Sequence, residues 1–155
     1  VRNGKLEHAI ILDPVRQEEF TASRGRGAQL NGRRIRVSDR TDLQECLIGT
    51  GTPFLGQSED RMDWYLKGLG EVAGNSMGIR RAGAAALDLA YVAAGRLDGF
   101  WEADLKPWDL AAGTLLVRES GGLVIDFKGS DNVLKGGDVI CANPRLLKQL
   151  AAAIR

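Results

Sequence analysis

From residue 77 to the C-terminal end, short apolar runs alternate with segments of helical length, and this rhythm constrains the fold more than any other feature. Met77 to Arg81, Asp98 to Glu102, Leu123 to Phe127 and Val139 to Ala142 have the length and residue types of strands. Between and after them, Gly83 to Ala94, Pro107 to Glu119 and Pro144 to Ile154 read as helices. Pro107 suits a first helical position and Gly121-Gly122 a stop. The first half has a different grammar. Leu6 to Leu12 and Glu19 to Ser23 read as a hairpin closed by Asp13-Pro14, and Arg24-Gly25-Arg26-Gly27 is a second turn. Asn31-Gly32, the strongest two-residue hairpin signal, leads into an alternating strand from Arg34 to Ser38. Leu43 to Thr50 is a further strand and Glu59 to Val72 a helix, while Gly129 to Gly137 reads as a polar loop. Hairpins followed by alternating strand and helix predict a layered α/β (α+β) sandwich, a single domain over 1–155.

Composition removes several function classes. Lys+Arg 21 against Asp+Glu 20 leaves a net charge of +1, which favours neither duplex nucleic acid nor an anionic membrane as partner. No apolar run approaches the roughly 20 residues of a membrane span. Cys46 and Cys141, each among small or apolar neighbours, read as buried thiols of a reducing, cytoplasmic compartment. A single His and no CxxC leave zinc without ligands.

The stretch richest in chemistry is Gly95 to Glu102 followed by Lys106-Pro107-Trp108-Asp109-Leu110-Ala111-Ala112-Gly113. With Pro107 opening a helix, Asp109 falls in the first turn, where free N–H groups and the positive dipole end also lie. A carboxylate there helps hold a cation beside N–H groups that meet a phosphate. The small residues 111–113 allow close approach to a neighbour. Glu102, at a strand end seven residues upstream, is placed to accept hydrogen bonds from a polyol. The plainer alternative is that Asp109 only complements the dipole and that Trp108 is core. Arg80-Arg81-Ala82-Gly83-Ala84-Ala85-Ala86 is a second candidate, a strand running through glycine into a helix that exposes N–H groups to an anion, although the same residues suit tight packing. Asp88 in that helix reads as a solvent or hydrogen-bonding residue. His8 reads as packed. Ser38, Ser76 and Ser120 have no neighbouring base. Arg24, Arg26, Arg33, Arg34, Arg36 and Arg40 form a basic stretch whose default reading is a solvated hairpin face, since only Phe20 offers a nearby aromatic.

Taken together, these blocks resemble the inositol monophosphatase family. Leu12-Asp13-Pro14, Glu19-Phe20-Thr21-Ala22, Gly25-Arg26-Gly27-Ala28 and Leu30-Asn31-Gly32 are similar to its middle. Arg81-Ala82-Gly83 with Ala85 to Gly95, and then Trp108 to Gly113 with Glu119-Ser120-Gly121-Gly122, are similar to its later blocks. The order is kept nearly end to end, closest to the bacterial SuhB branch. The resemblance implies an αβαβα sandwich and Mg²⁺-dependent hydrolysis of inositol monophosphate or another small phosphorylated polyol. Fructose bisphosphate, adenosine bisphosphate and histidinol phosphate are alternative substrates. It implies Asp109 as a metal ligand, Glu102 on substrate hydroxyls, and Gly83, Ala84 and Ala85 beside the substrate, with Ala84 where the family usually has a hydroxyl. The family's Glu-Glu pair and Asp-Pro-Ile/Leu-Asp-Gly-Thr motif do not occur here, for Asp13-Pro14 continues as Val15-Arg16-Gln17. The expectation is therefore a C-terminal portion of such a protein, inactive by itself, with weak or no Mg²⁺ binding and a tendency to form dimers or larger homo-oligomers. A non-enzymatic SuhB-like role in RNA polymerase and ribosomal RNA transcription complexes, through the basic hairpin, is the alternative.

Overall fold

The computed structural model describes residues 1–53 and 61–154. Strands β1 (His8–Asp13), β2 (Glu18–Ser23), β3 (Gly27–Leu30) and β4 (Arg33–Arg34) form an antiparallel meander in that order. Each turn is made by local chemistry. Asp13 Oδ1 accepts the Val15 and Arg16 N–H groups at 3.0 and 3.1 Å, closing the first hairpin. The Asn31-Gly32 turn has φ of 49° and 75°, the left-handed pair that a tight hairpin needs. Between them, the Gly25 and Gly27 N–H groups each donate to the Glu119 carboxylate at 2.8 Å. The register sets Ile11 opposite Phe20, and Ala9, Ala22 and Ala28 side by side, on the face turned to the interior. Ile10 and Leu12 lie on the other face, 62% and 58% exposed.

The second sheet has the order β6-β5-β7-β9-β8, with β5 (Leu47–Thr50), β6 (Gly78–Arg80), β7 (Gly99–Glu102), β8 (Leu123–Ile125) and β9 (Val139–Ala142). Strand β5 runs parallel to both β6 and β7, whereas β9 is antiparallel to β7 and β8. Helices α2 (Ala85–Ala93) and α3 (Pro107–Glu119) lie between the sheets; α1 (Met62–Asn75) and α5 (Pro144–Ile154) cover the far face of the second. The layers thus run β, α, β, α, which agrees with the expected sandwich.

Two apolar cores follow from this layering. One joins the meander, α2, α3 and the near face of the second sheet, and includes Phe20, Leu89, Phe100, Leu110 and Leu116. The other lies under α1 and α5 around Ile48, Trp101, Leu146, Leu150 and Ile154. Alternation along β7 sends Phe100 into the first core and Trp101 into the second. Complete burial of each such side chain is worth roughly 1.5–3 kcal/mol. The α2–α3 contact is close because Gly113 has no side chain: a Cβ there would lie 2.4 Å from Leu89 Cβ.

Several expectations need correction. Residues 43–46 are not strand; Leu43–Glu45 is a single 3₁₀ turn capped by Asp42, whose side chain accepts the Gln44 N–H at 3.0 Å. The strand expected over 34–38 ends at Arg34, after which the Ile35 N–H bonds Ala28 O and the Val37 N–H leaves the sheet for Ser120 O. The loop 129–137 contains a short helix, α4 (Val133–Gly136), that Gly137 terminates at φ 80°. His8 is exposed, its Nδ1 2.9 Å from Ser23 Oγ across the hairpin, because it sits on the outward face of an edge strand. Trp108 is 77% exposed and so not core. For the expected helix over 59–72, the described part begins at Met62 and continues to Asn75; 59 and 60 lie outside the described residues. Both thiols are free and buried as expected. Burial pushes that of Cys46 up to about 12 and also raises that of Cys141.

Candidate functional site

Parallel strands leave their carboxyl ends at one edge of a sheet, and helices that follow them begin there. Here β5 ends in Thr50-Gly51-Thr52, β6 in Arg80-Arg81 and β7 in Glu102. Helix α2 opens just after β6, and α3 just after β7. Two helix N-termini and three strand ends therefore share one edge.

Glu102 is the centre of this edge. Its residue is 8% exposed, and the carboxyl is fitted against backbone: a Cβ on Gly51 would fall 1.7 Å from Oε1. Burial pushes the Glu102 carboxyl up to about 7, the negative charges of Asp88 and Asp109 add to the rise, and Arg81 opposes it. Asp88 is also buried, and its Oδ1 has no hydrogen-bond partner among the described residues. Burial raises it to about 6, against the pull of Arg81 and of the hydrogen bond involving Ala84. Of the two expected roles for Asp88, solvent-facing or hydrogen-bonding, burial removes the first. Asp88 stands one helical turn before Val92 and shares that residue's buried stripe, so a carboxylate on an apolar stripe was the signal available.

Asp109 is half-buried in the first turn of α3. Its Oδ2 accepts the Lys106 N–H at 2.9 Å, the side-chain half of a capping box, while the Asp109 N–H donates to the Lys106 main-chain carbonyl. The dipole reading of this residue is thus realised, and its charge is also felt at Glu102. Gly83 adopts φ 90°, a conformation that admits few side chains, and a Cβ would lie 2.6 Å from Arg81 Nη1. Ala84 is the exposed cap of α2 and offers no side-chain hydrogen bond, so the first N–H groups of that helix are free of a side-chain cap from this position. Ala85 starts the helix. Arg81 is tethered by its Nη2 to Thr52 Oγ1 at 3.0 Å, and Thr50 Oγ1 donates to Trp101 O at 3.0 Å, tying β5 to β7. The structure thus brings together Glu102, Asp109 and the Gly83–Ala85 corner. Gly51 is a member that sequence reasoning did not name, while Arg81 entered only through the anion-facing segment and Asp88 only as a solvent or hydrogen-bonding residue.

Comparison with known proteins gives the family of the chain. The model of the inositol monophosphatase family matches residues 1–155. The chain belongs to the inositol monophosphatase family. It is 59% identical over 152 residues to "Nus factor SuhB" of Pseudomonas aeruginosa, covering 98% of this chain and 56% of that protein. The corresponding Nus factor of Escherichia coli K12 is 49% identical over the same share of each. Among solved structures, extragenic suppressor protein SuhB from Bartonella henselae superposes with a TM-score of 0.94 at 47% identity, over 98% of this chain and 57% of that one. An IMPase from Thermotoga maritima superposes at 0.89 with 34% identity, over 99% and 57%. The chain therefore spans a little over half the length of these family relatives.

A divalent cation is the group the family implies, and the described residues do not make a complete site for it. No group of three or more His, Cys, Asp or Glu among the described residues is placed to hold a metal ion. Asp109 has one oxygen committed to its cap. Mg²⁺ asks for near-octahedral oxygen ligation, which one half-committed carboxylate does not supply.

Proposed function

We propose that this edge is the substrate-facing share of a phosphomonoesterase site for inositol monophosphate or a related small phosphorylated polyol. The observation that carries the reading is the convergence of Glu102, Asp88, Asp109 and Arg81 where α2 and α3 begin. The free N–H groups of α2 suit a phosphate, and the Glu102 carboxyl, half-protonated near neutrality, suits polyol hydroxyls as acceptor or donor. Asp109 would supply one oxygen to a Mg²⁺ site whose remaining ligands the described residues do not furnish. Such a metal, once fully ligated, polarises phosphate oxygens and activates water. The chain alone is then inactive: with Mg²⁺ and inositol 1-phosphate it releases no phosphate above blank. A chimera joining it to the part of the Pseudomonas relative outside the matched region tests the reading. It should hydrolyse inositol 1-phosphate, and Asp109→Asn should lower kcat at least about 100-fold, the scale of losing one charge-stabilising group. An active chimera unaffected by Asp109→Asn would end the proposal.

A second reading rests on the basic hairpin. Arg26, Arg33, Arg34 and Arg36 are exposed and form no ion pair among the described residues, leaving a cationic face open to a polyanionic partner. With relatives named Nus factor, this supports a role in RNA polymerase and ribosomal RNA transcription complexes. Charge reversal at Arg33, Arg34 and Arg36 should abolish capture of such complexes; unchanged capture would remove this reading. Self-association is a third element of the proposal. Among the described residues the outer edge of β1 is unpaired, and it carries exposed Ile10 and Leu12, the features of a pairing-prone edge. Sedimentation should show dimers or larger species at micromolar concentration, and monomer alone would count against it.

A further inference from the structure

At the opposite end of α3 from Asp109 lies a cavity of about 270 Å³ that the function above does not use. Arg118 lies nine positions after Asp109, about 13 Å along the helix. The cavity is walled by Lys5 and Arg24 from the first hairpins, Thr114 and Arg118 from α3, and Asp131 and Asn132 from the loop before α4. Three cations thus face a single carboxylate. Arg24 and Arg118 are fixed by main-chain carbonyls: Arg24 Nε donates to Leu6 O and Arg118 Nη2 to Asp131 O, both at 2.8 Å. Each guanidinium keeps further N–H donors. Arg24 is also paired loosely with Glu7, at 3.9 Å. Lys5 has no hydrogen bond from its side chain among the described residues. Thr114 lines the cavity as a residue, but its Oγ1 is buried beneath the surface.

We propose that this cavity is a binding site for a phosphate dianion, free or carried by a small metabolite, held by Lys5, Arg24 and Arg118. The cations neutralise the dianion. The cavity is larger than a phosphate, so an esterified phosphate with a short tail also fits.

The test is an amide chemical-shift titration of the 155-residue chain with inorganic phosphate and, separately, glycerol phosphate. EDTA is present and ionic strength is constant. Saturable shifts should centre on Leu6, Thr114, Arg118 and Val133. Tighter binding of glycerol phosphate would assign an esterified ligand, and equal or weaker binding free phosphate. Lys5→Gln, which breaks no internal hydrogen bond, should weaken binding about ten-fold, the scale of one charge-assisted hydrogen bond. Arg33→Gln with Arg34→Gln, on the exposed hairpin, should leave it unchanged. No saturable shifts, shifts confined to Gly83–Ala86, or equal weakening by the hairpin pair would overturn the proposal.

Discussion

The buried carboxyls at the candidate site make the stability of the chain depend on pH in an unusual direction. Glu102 is raised from 4.5 to about 7, and Asp88 from 3.8 to about 6, both chiefly by burial. In the unfolded chain both ionise at their ordinary values. Between those values and the raised ones the native state holds more protons than the unfolded state, so stability falls as pH rises. The contribution is fully present below about pH 4 and is lost by about pH 7. At about 1.4 kcal/mol per pH unit, the Glu102 displacement corresponds to about 3 kcal/mol, an upper bound because the two carboxyls titrate together beside Arg81, Asp109 and Tyr65. Urea unfolding at pH 5 and pH 8 should therefore show the gap between parent and Glu102→Gln widening in favour of the variant, by up to about 2.5 kcal/mol, because part of the contribution is already lost at pH 5. The variant difference isolates the group, since Asp13 and Glu18 are lowered by the Arg16 and Arg96 contacts and act in the opposite sense at lower pH. Adding Asp88→Asn should remove most of the remaining fall. A parent–variant difference that is constant from pH 5 to 8, or that favours the parent at high pH, would refute the reasoning.

Other perturbations follow from single contacts. Gly51→Ala should displace the Glu102 carboxyl, and solving the variant by crystallography should show the side chain rotated out of its place against β5. Gly113→Ala should cost roughly 1–3 kcal/mol in denaturant unfolding by forcing α2 and α3 apart at Leu89; a change under about 0.5 kcal/mol would contradict that packing. Glu119→Gln weakens two charge-assisted bonds to the Gly25–Gly27 turn. It should cost about 1–3 kcal/mol and speed amide exchange at those glycines. Neither Cys46 nor Cys141 should react with a thiol reagent in the native chain at neutral pH, and both should react after unfolding.

Where local chemistry decides an element, the sequence is a good guide. Pro107 and the glycines after Glu119 bound α3 as expected, and β9 and α5 also begin and end where their patterns do. Asp109 in the first turn follows from Pro107 alone. The errors arise where a side chain competes with the ladder. Asp42 caps a 3₁₀ turn in a segment whose composition suits a strand, and the chain after Arg34 exchanges sheet partners for Ser120. Site residues on different elements are harder still. Arg81, Gly51 and Asp88 meet Glu102 only because β5, β6 and β7 lie side by side, and no spacing in one segment encodes that. Glu119 shows the same limit, for its two glycine partners are more than ninety residues away.

The central claim is that Asp109 and the α2 corner share one edge of the second sheet and form part of a cation-dependent phosphate site. Titration of the isotopically labelled chain with Mn²⁺ measures this directly, because a bound paramagnetic ion broadens nearby amides. The account predicts weak binding that broadens residues around Asp109, Glu102 and Gly83–Ala85, and that Asp109→Asn abolishes. Broadening centred elsewhere, or binding that survives Asp109→Asn undiminished, would contradict it.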